Sequence, residues 1–304
     1  MKTHLQKVLE SKTFAVTAEI GPPKSADPTV IQRKASMLQG FADAFNITDN
    51  QTAVARMSSL AGSYLVKQQN MEPVFQIACR DRNRLALQAD VLGASALGVH
   101  NMLLVTGDHQ SKGNHPHTKG VFDIDSVQLI SMVKNLRDNH IFENNEPLKS
   151  HPPFAFIGAV ANPFVSSIPL RVDRLEKKIH AGADFIQTQS VFNIHQFERW
   201  MDAVRDRGLD KRVHILAGIT PLKSIKMMER MKYHVPGVDI PDEIVHRIRT
   251  ADCIESESLQ ITNELISQVK SIKGIHGIHI TALFWEKKIP EIIQNAKLLP
   301  RPSL

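Results

Sequence analysis

The sequence predicts an α/β chain folded as a (β/α)8 TIM barrel, and three observations carry that expectation. Eight short, β-rich apolar runs recur along the 304 residues. Most are separated by about one βα unit, on the order of 30 residues, the length that a strand and a crossover helix require. The segments between them carry helical periodicity, and eight is the number of parallel strands that closes into this barrel. An open doubly wound sheet is the alternative with the same alternation.

The first run, FAVTAEI from Phe14, stops against Gly-Pro-Pro. AFNIT from Ala44 and PVFQIAC from Pro73 follow it. In the next segment, RNRLALQADVLGASALG, Leu85, Leu92, Ala96 and Leu97 recur at helical spacing and Gly98 suits the C-terminal stop. NMLLVT from Asn101 is the fourth run; the stretch HQSKGNHPHTKGVFDIDS after it is a Gly, His and Asn-rich loop that breaks the rhythm. FAFIGAV from Phe154 leads into IPLRVDRLEKKIHAGA, where Leu170, Leu175 and Ile179 share helical spacing and Gly182 ends the helix. DFIQTQ from Asp184, HILAGI from His214 and GIHITAL from Gly277 complete the set. Met227, Met228 and Met231 share helical spacing with Ile225 and read as core. The segment 236–273 inserts extra helix before the last strand, and no low-complexity linker interrupts the chain, so 1–304 reads as a single domain.

Composition narrows the function. A chain that is 42% hydrophobic can bury a large core. Its formal charge of +6 favours anionic ligands, but the basic residues are scattered, which speaks against nucleic acid as a partner. Two cysteines, Cys79 and Cys253, with no C-x-x-C pair argue against a disulfide scaffold and suit a reducing compartment. The start MKTHLQKVLESKTF has no apolar h-region and no run reaches spanning length, so the expectation is a cytoplasmic protein with no membrane contact. The sequons at Asn46 and Asn50 then read as accidental.

A barrel assembles its active site from the C-terminal ends of its strands. Those ends offer Glu19, Thr48 and Asp49, Cys79 to Asp81, Thr106 to Asp108, Asn162, Gln187 and Gln189, and Thr220. Carboxylates, hydroxyls and amides from different strands would converge there on one molecule. Glu19 fits a general acid whose pKa rises on desolvation, and fits equally a strand-end glutamate satisfied by backbone or arginine. Asp108 after Gly107 reads first as a turn aspartate. His109, His115 and His117 lack a zinc-site spacing and read as a solvated loop, so no metal is expected; His276 and His279 read as packed beside the last strand. No G-x-G-x-x-G, P-loop or G-x-S-x-G occurs.

Taken in order, TAEIGPPK, NITDN, CRDRNR, LLVTGDH, AGADFIQTQSVFN and GITPLKS resemble methylenetetrahydrofolate reductase across nearly the whole chain, in its short, barrel-only bacterial form. The resemblance implies a barrel that holds a flavin, FAD rather than FMN, across its mouth and reduces 5,10-methylenetetrahydrofolate to 5-methyltetrahydrofolate. It assigns Glu19 as the general acid and Asp108 as a carboxylate that stabilises the developing cation and tunes the flavin. It places Thr48, Gly107 and Lys178 on the flavin, Lys178 toward its phosphate region, and Gln189 on the folate. Asn162 falls where relatives often carry a histidine before proline. Thr106 replaces an arginine, Gln76 a histidine that often contacts the cofactor, and Met227 a folate-contacting glutamine.

The electron donor implied is NADH, NADPH or a partner subunit, and family habit implies a homo-oligomer. The rival is a folate-binding or methyl-transfer barrel without flavin chemistry, motivated by Thr106 and Gln76; a lyase using Glu19 without flavin ranks below it.

Overall fold

Eight parallel strands follow one another around a closed barrel in sequence order, the last pairing back onto the first, which excludes the open sheet. The computed structural model describes residues 2–165 and 167–304. The strands are β1 (Ala15–Ile20), β2 (Ala44–Ile47), β3 (Pro73–Ala78), β4 (Asn101–Val105), β5 (Phe156–Ala161), β6 (Phe185–Ser190), β7 (His214–Ile219) and β8 (Gly277–Ile280). Helix α1 (His4–Glu10) precedes them. After the strands come α2 (Pro28–Leu38), α3 (Ser59–Lys67), α4 (Arg84–Ala96), α5 (Ser126–Lys134), α6 (Ile168–Ala181) and α7 (Ile194–Asp206), one for each of β1 to β6. Three helices, α8 (Ile225–His234), α9 (Asp242–Thr250) and α10 (Ile254–Ser271), separate β7 from β8, and α11 (Ile289–Asn295) follows β8. The inserted helix expected before the last strand is therefore α9 and α10. Among the described residues no helix is long and apolar enough to cross a membrane.

On α4 the buried stripe differs from the one its leucines suggest, and on α6 the expected stripe is buried except at its first position. On α4, Leu85 and Leu97 are exposed and the core face is Leu87, Gln88, Val91 and Ala94. Two apolar stripes compete on that helix, and spacing alone does not decide between them. On α6, Leu170 in the first turn is exposed, and Val172, Leu175 and Ile179 form the buried face. Gly182 ends α6 at φ +118°, in the left-handed region that glycine enters without penalty.

The barrel interior is layered. At its N-terminal end Ala15, Ala44, Val74, Leu103, Phe156, Phe185 and Leu216 pack with Leu5, Val8 and Leu9 of α1, which plugs that opening. The Phe185 ring stacks on Phe156 at 5.1 Å and fills the space at Gly158, where a Cβ would lie 2.3 Å from it. The next layer is polar. Asn46 Nδ2 donates to Gln187 Oε1 at 2.7 Å, and Gln187 Nε2 donates back to Asn46 Oδ1 at 3.1 Å. Thr17 Oγ1 lies 3.3 Å from Gln187 Nε2 and 2.9 Å from His279 Nδ1. These buried groups satisfy one another, which is what polar side chains in a low-dielectric interior require.

At the plugged end, Asp43 ties His4 and Arg301 to β1. Its fully buried carboxylate accepts from Val16 N at 2.7 Å and from Arg301 Nη2 at 2.5 Å, and His4 Nε2 stands 3.8 Å away. Burial acts to raise this carboxyl, but His4, Arg301 and the Val16 amide outweigh it and hold it below the ordinary range. Its contribution to stability is therefore complete above an aspartate's usual pKa of about 3.9 and is lost as pH falls through the lower folded value. Arg301→Ala strips that buried charge of its guanidinium and leaves it only His4 and the Val16 amide, so urea unfolding at neutral pH is expected to show a loss of about 3 kcal/mol. A loss below about 1 kcal/mol, the value of an exposed pair, would mean that water replaces the guanidinium.

Candidate active site

The C-terminal mouth holds a cavity of about 390 Å³, within the range of about 300–1,000 Å³ typical of small-molecule sites. Its walls bring together six residues expected from the sequence: Glu19, Gln76, Asn162, Lys178, Gln187 and Gln189.

Glu19 points inward because it keeps the alternation of β1, with Thr17 below it and Val16, Ala18 and Ile20 turned to the helices. Among the described residues its carboxyl has no hydrogen bond or ion pair. Although it faces the cavity, protein surrounds it, and that burial pushes it up to about 7. The charge of Glu286 pushes the same way, while Lys34 and Arg56 oppose it. A glutamate satisfied by backbone or arginine is thus not what β1 presents; it presents a free carboxyl that is protonated near neutrality.

Gln189 reaches the cavity through an irregularity. The register of β6 against β7 shifts between Gln187 and Ser190, so Gln187, Thr188 and Gln189 all line the wall where strict alternation would allow two. Thr188 Oγ1 accepts from Gly218 N at 3.0 Å, and Gln189 Oε1 accepts from Ser190 N at 3.1 Å, which leaves the Gln189 amide nitrogen to donate. Asn162 Oδ1 accepts from Phe164 N at 3.1 Å, and its side chain packs where a Cβ at Gly237 would lie 1.7 Å away.

Lys178 donates from Nζ to Val160 O at 2.6 Å. Burial pulls it down to about 8, with Arg174 adding to the effect and Asp125 opposing it, so it is mostly cationic at neutral pH. Arg171 and Arg174 join it at the cavity. The spacing i, i+3, i+7 puts all three cations on one face of α6, a signal present in the sequence but not read there. His279 also lines the cavity; burial pulls it down to about 4, so it is a neutral imidazole bonded to Thr17.

Other expected residues lie outside this lining. Thr48 is buried with its hydroxyl bonded to Gln51. Thr106 and Asp108 are exposed and border neither cavity that Glu19 touches. Their turn folds over Arg80, whose N donates to Thr106 O at 3.1 Å and whose Nη1 donates to Asp108 O at 3.2 Å. Gly107 has φ +89°, and a Cβ there would lie 3.1 Å from Arg80 Cβ, so glycine is needed to seat this turn. Asp49 is held by Arg82 at 2.6 Å and by Ala78 N at 2.9 Å. His109 bonds Ser111, and His115 bonds Asn114. Among the described residues no group of three or more His, Cys, Asp or Glu could hold a metal.

Residues 4–297 match the family model described as Methylenetetrahydrofolate reductase. Methylenetetrahydrofolate reductase 2 of Schizosaccharomyces pombe is 22% identical over 82% of this chain and 39% of its own length. A probable methylenetetrahydrofolate reductase (NADPH) of Caenorhabditis elegans is 20% identical over 97% of this chain and 44% of its own. This chain thus spans about two fifths of these curated relatives. Among solved structures, an uncharacterized protein from Clostridium thermocellum that binds two copies of 5-methyl-5,6,7,8-tetrahydrofolic acid has a TM-score of 0.65 and 16% identity, and the likeness covers 98% of this chain and 99% of that one. At that identity the likeness speaks to the fold alone.

Proposed function

The chain belongs to the methylenetetrahydrofolate reductase family, and on that premise we propose that it reduces 5,10-methylenetetrahydrofolate to 5-methyltetrahydrofolate, or runs the reverse oxidation, with a flavin at the barrel mouth. The observation that carries the reading is Glu19, an unpaired carboxyl facing the large cavity and protonated up to about pH 7. A general acid works best when its pKa lies near the operating pH. Glu19 gives its proton to the nitrogen that leaves as the five-membered ring of the folate opens, and the carbon left behind becomes the iminium that is reduced. The Gln189 amide holds the pterin. Asp108, exposed on the turn after β4 and outside both cavities, carries the role of a carboxylate near the developing positive charge through the family's motif alone.

The donor set fits a flavin. Arg171, Arg174 and Lys178 offer three cations on one wall, which two phosphates use more fully than one, so FAD is favoured over FMN. Gln76 and Asn162 offer amides to a heteroaromatic edge, whereas Thr48 and the Thr106 to Asp108 turn are proposed as flavin contacts on the family's motifs alone. When bound, the flavin supplies the two electrons. The donor that reloads it is NADH, NADPH or a partner subunit, NADPH being favoured by the name of the nematode relative. The exposed thiol of Cys253 suits the reducing cytoplasm, and a homo-oligomer is the assembly proposed.

An anaerobic visible spectrum of the purified protein, before and after addition of 5-methyltetrahydrofolate, tests the reading. Flavin absorbance that bleaches on addition is the expected result. Folate binding to a protein that takes up no flavin, even on reconstitution, would replace it with the rival reading, a folate-binding or methyl-transfer barrel.

A further inference from the structure

A second cavity, about 170 Å³, opens on the other side of Glu19 and shares no other lining residue with the first. At about 30 Å³ for each water in the liquid, it has room for several. Lys34 of α2, Arg56 and Glu286 line it. Lys34 Nζ sits 2.5 Å from Glu286 Oε1 and donates to Gly21 O at 3.2 Å, both side chains being largely covered. Arg56 Nη1 donates to Pro22 O at 3.2 Å, and its Nε is buried without a partner.

We propose that Lys34 and Glu286 are positioning residues for Glu19: their opposed charges, applied from the second cavity, set how firmly Glu19 holds its proton while substrate fills the first. The inference rests on the reading of Glu19 as the acid. Charges face Glu19 from two sides: Arg171, Arg174 and Lys178, with neutral His279, across the first cavity, and Lys34, Arg56 and Glu286 across the second. Only the second set holds an anion. After burial, Glu286 is the next largest influence favouring the protonated form, and Lys34 and Arg56 work against it. Because Lys34 and Glu286 are paired, they act on Glu19 in opposite directions in the intact protein. Removing one releases the other at full strength.

The test is a set of three variants with a sign that no packing defect reproduces. Glu286→Gln is expected to move the titration of Glu19 toward acid by about one pH unit, Lys34→Met to move it toward alkali by about the same amount, and the double variant to return it near the parent. Two readouts apply. One is the infrared band of the protonated Glu19 carboxyl, assigned by its loss in Glu19→Gln; the other is the pH profile of folate reduction. Charge-preserving Glu286→Asp and Lys34→Arg are expected to stay with the parent. Single variants that both move the same way, or do not move, overturn the proposal. Should Glu286→Gln not fold, Lys34→Met alone decides: an alkaline shift supports the pair's role and any other result removes it. The infrared titration needs no turnover, so a normal set of shifts in a protein without folate chemistry would sink the proposed reaction and keep the pair's role. An active enzyme with no shifts would do the reverse.

Discussion

Glu19→Gln is expected to slow methylenetetrahydrofolate reduction by about 100- to 10,000-fold while leaving flavin reduction by the donor within a few-fold of the parent, because the acid serves only the folate half of the cycle. Stopped-flow measurement of the two half-reactions separates them, and near-normal folate turnover would remove Glu19 from the mechanism. In the parent the acid works only while protonated, so the folate half-reaction is expected to fall as pH rises through about 7. A second consequence runs the other way. Between a glutamate's ordinary pKa and about 7, folded Glu19 keeps a proton that the unfolded chain releases, so stability declines as pH rises across that window. The glutamine variant escapes the decline and is expected to be more stable above pH 7, by up to about 3 kcal/mol. The group proposed as the acid also weakens the fold above its ordinary pKa.

Arg174→Ala combined with Lys178→Met is expected to release the flavin. A hydrogen bond to a charged group contributes about 1.5–3 kcal/mol, or roughly 10- to 150-fold in affinity per residue. The readout is the dissociation constant for FAD followed by fluorescence quenching. Riboflavin, which has no phosphate, is the control and is expected to bind parent and variant alike. A variant that weakens for both ligands would show that Lys178 matters as the donor to Val160 O, which holds β5 to α6, and not as an anion receptor.

The fold was legible because its signal is local and repeated. Each strand is a short apolar run of its own, and β7 came out at the expected residues, 214–219. Glu19, Gln76, Asn162, Lys178 and Gln189 were legible as residues at or next to strand ends, or through the family's motifs, and the structure gathers them at one cavity. What could not be read was pairing over distance. Lys34 and Glu286 are 252 residues apart, and neither carries a motif that points to the other. His279 looked like a packed strand histidine and is one, but its register with Thr17 across β8 and β1 also puts it on the cavity wall. On α4 two apolar stripes competed, and only the packed barrel shows that Val91 and Ala94 face inward.

The carboxylate of Asp43 is the point where two residues far apart in the sequence meet, His4 from one side and Arg301 from the other. It sits beside the start of β2, at the end of the barrel that α1 plugs, whereas Glu19 opens at the other end. A tether or a fluorophore attached beside residue 4 or residue 301 therefore hangs from the base of the cylinder. The protein can be immobilised on a sensor surface from that side with its mouth turned to the flowing solution, so ligand arrival is recorded without obstruction from the anchor.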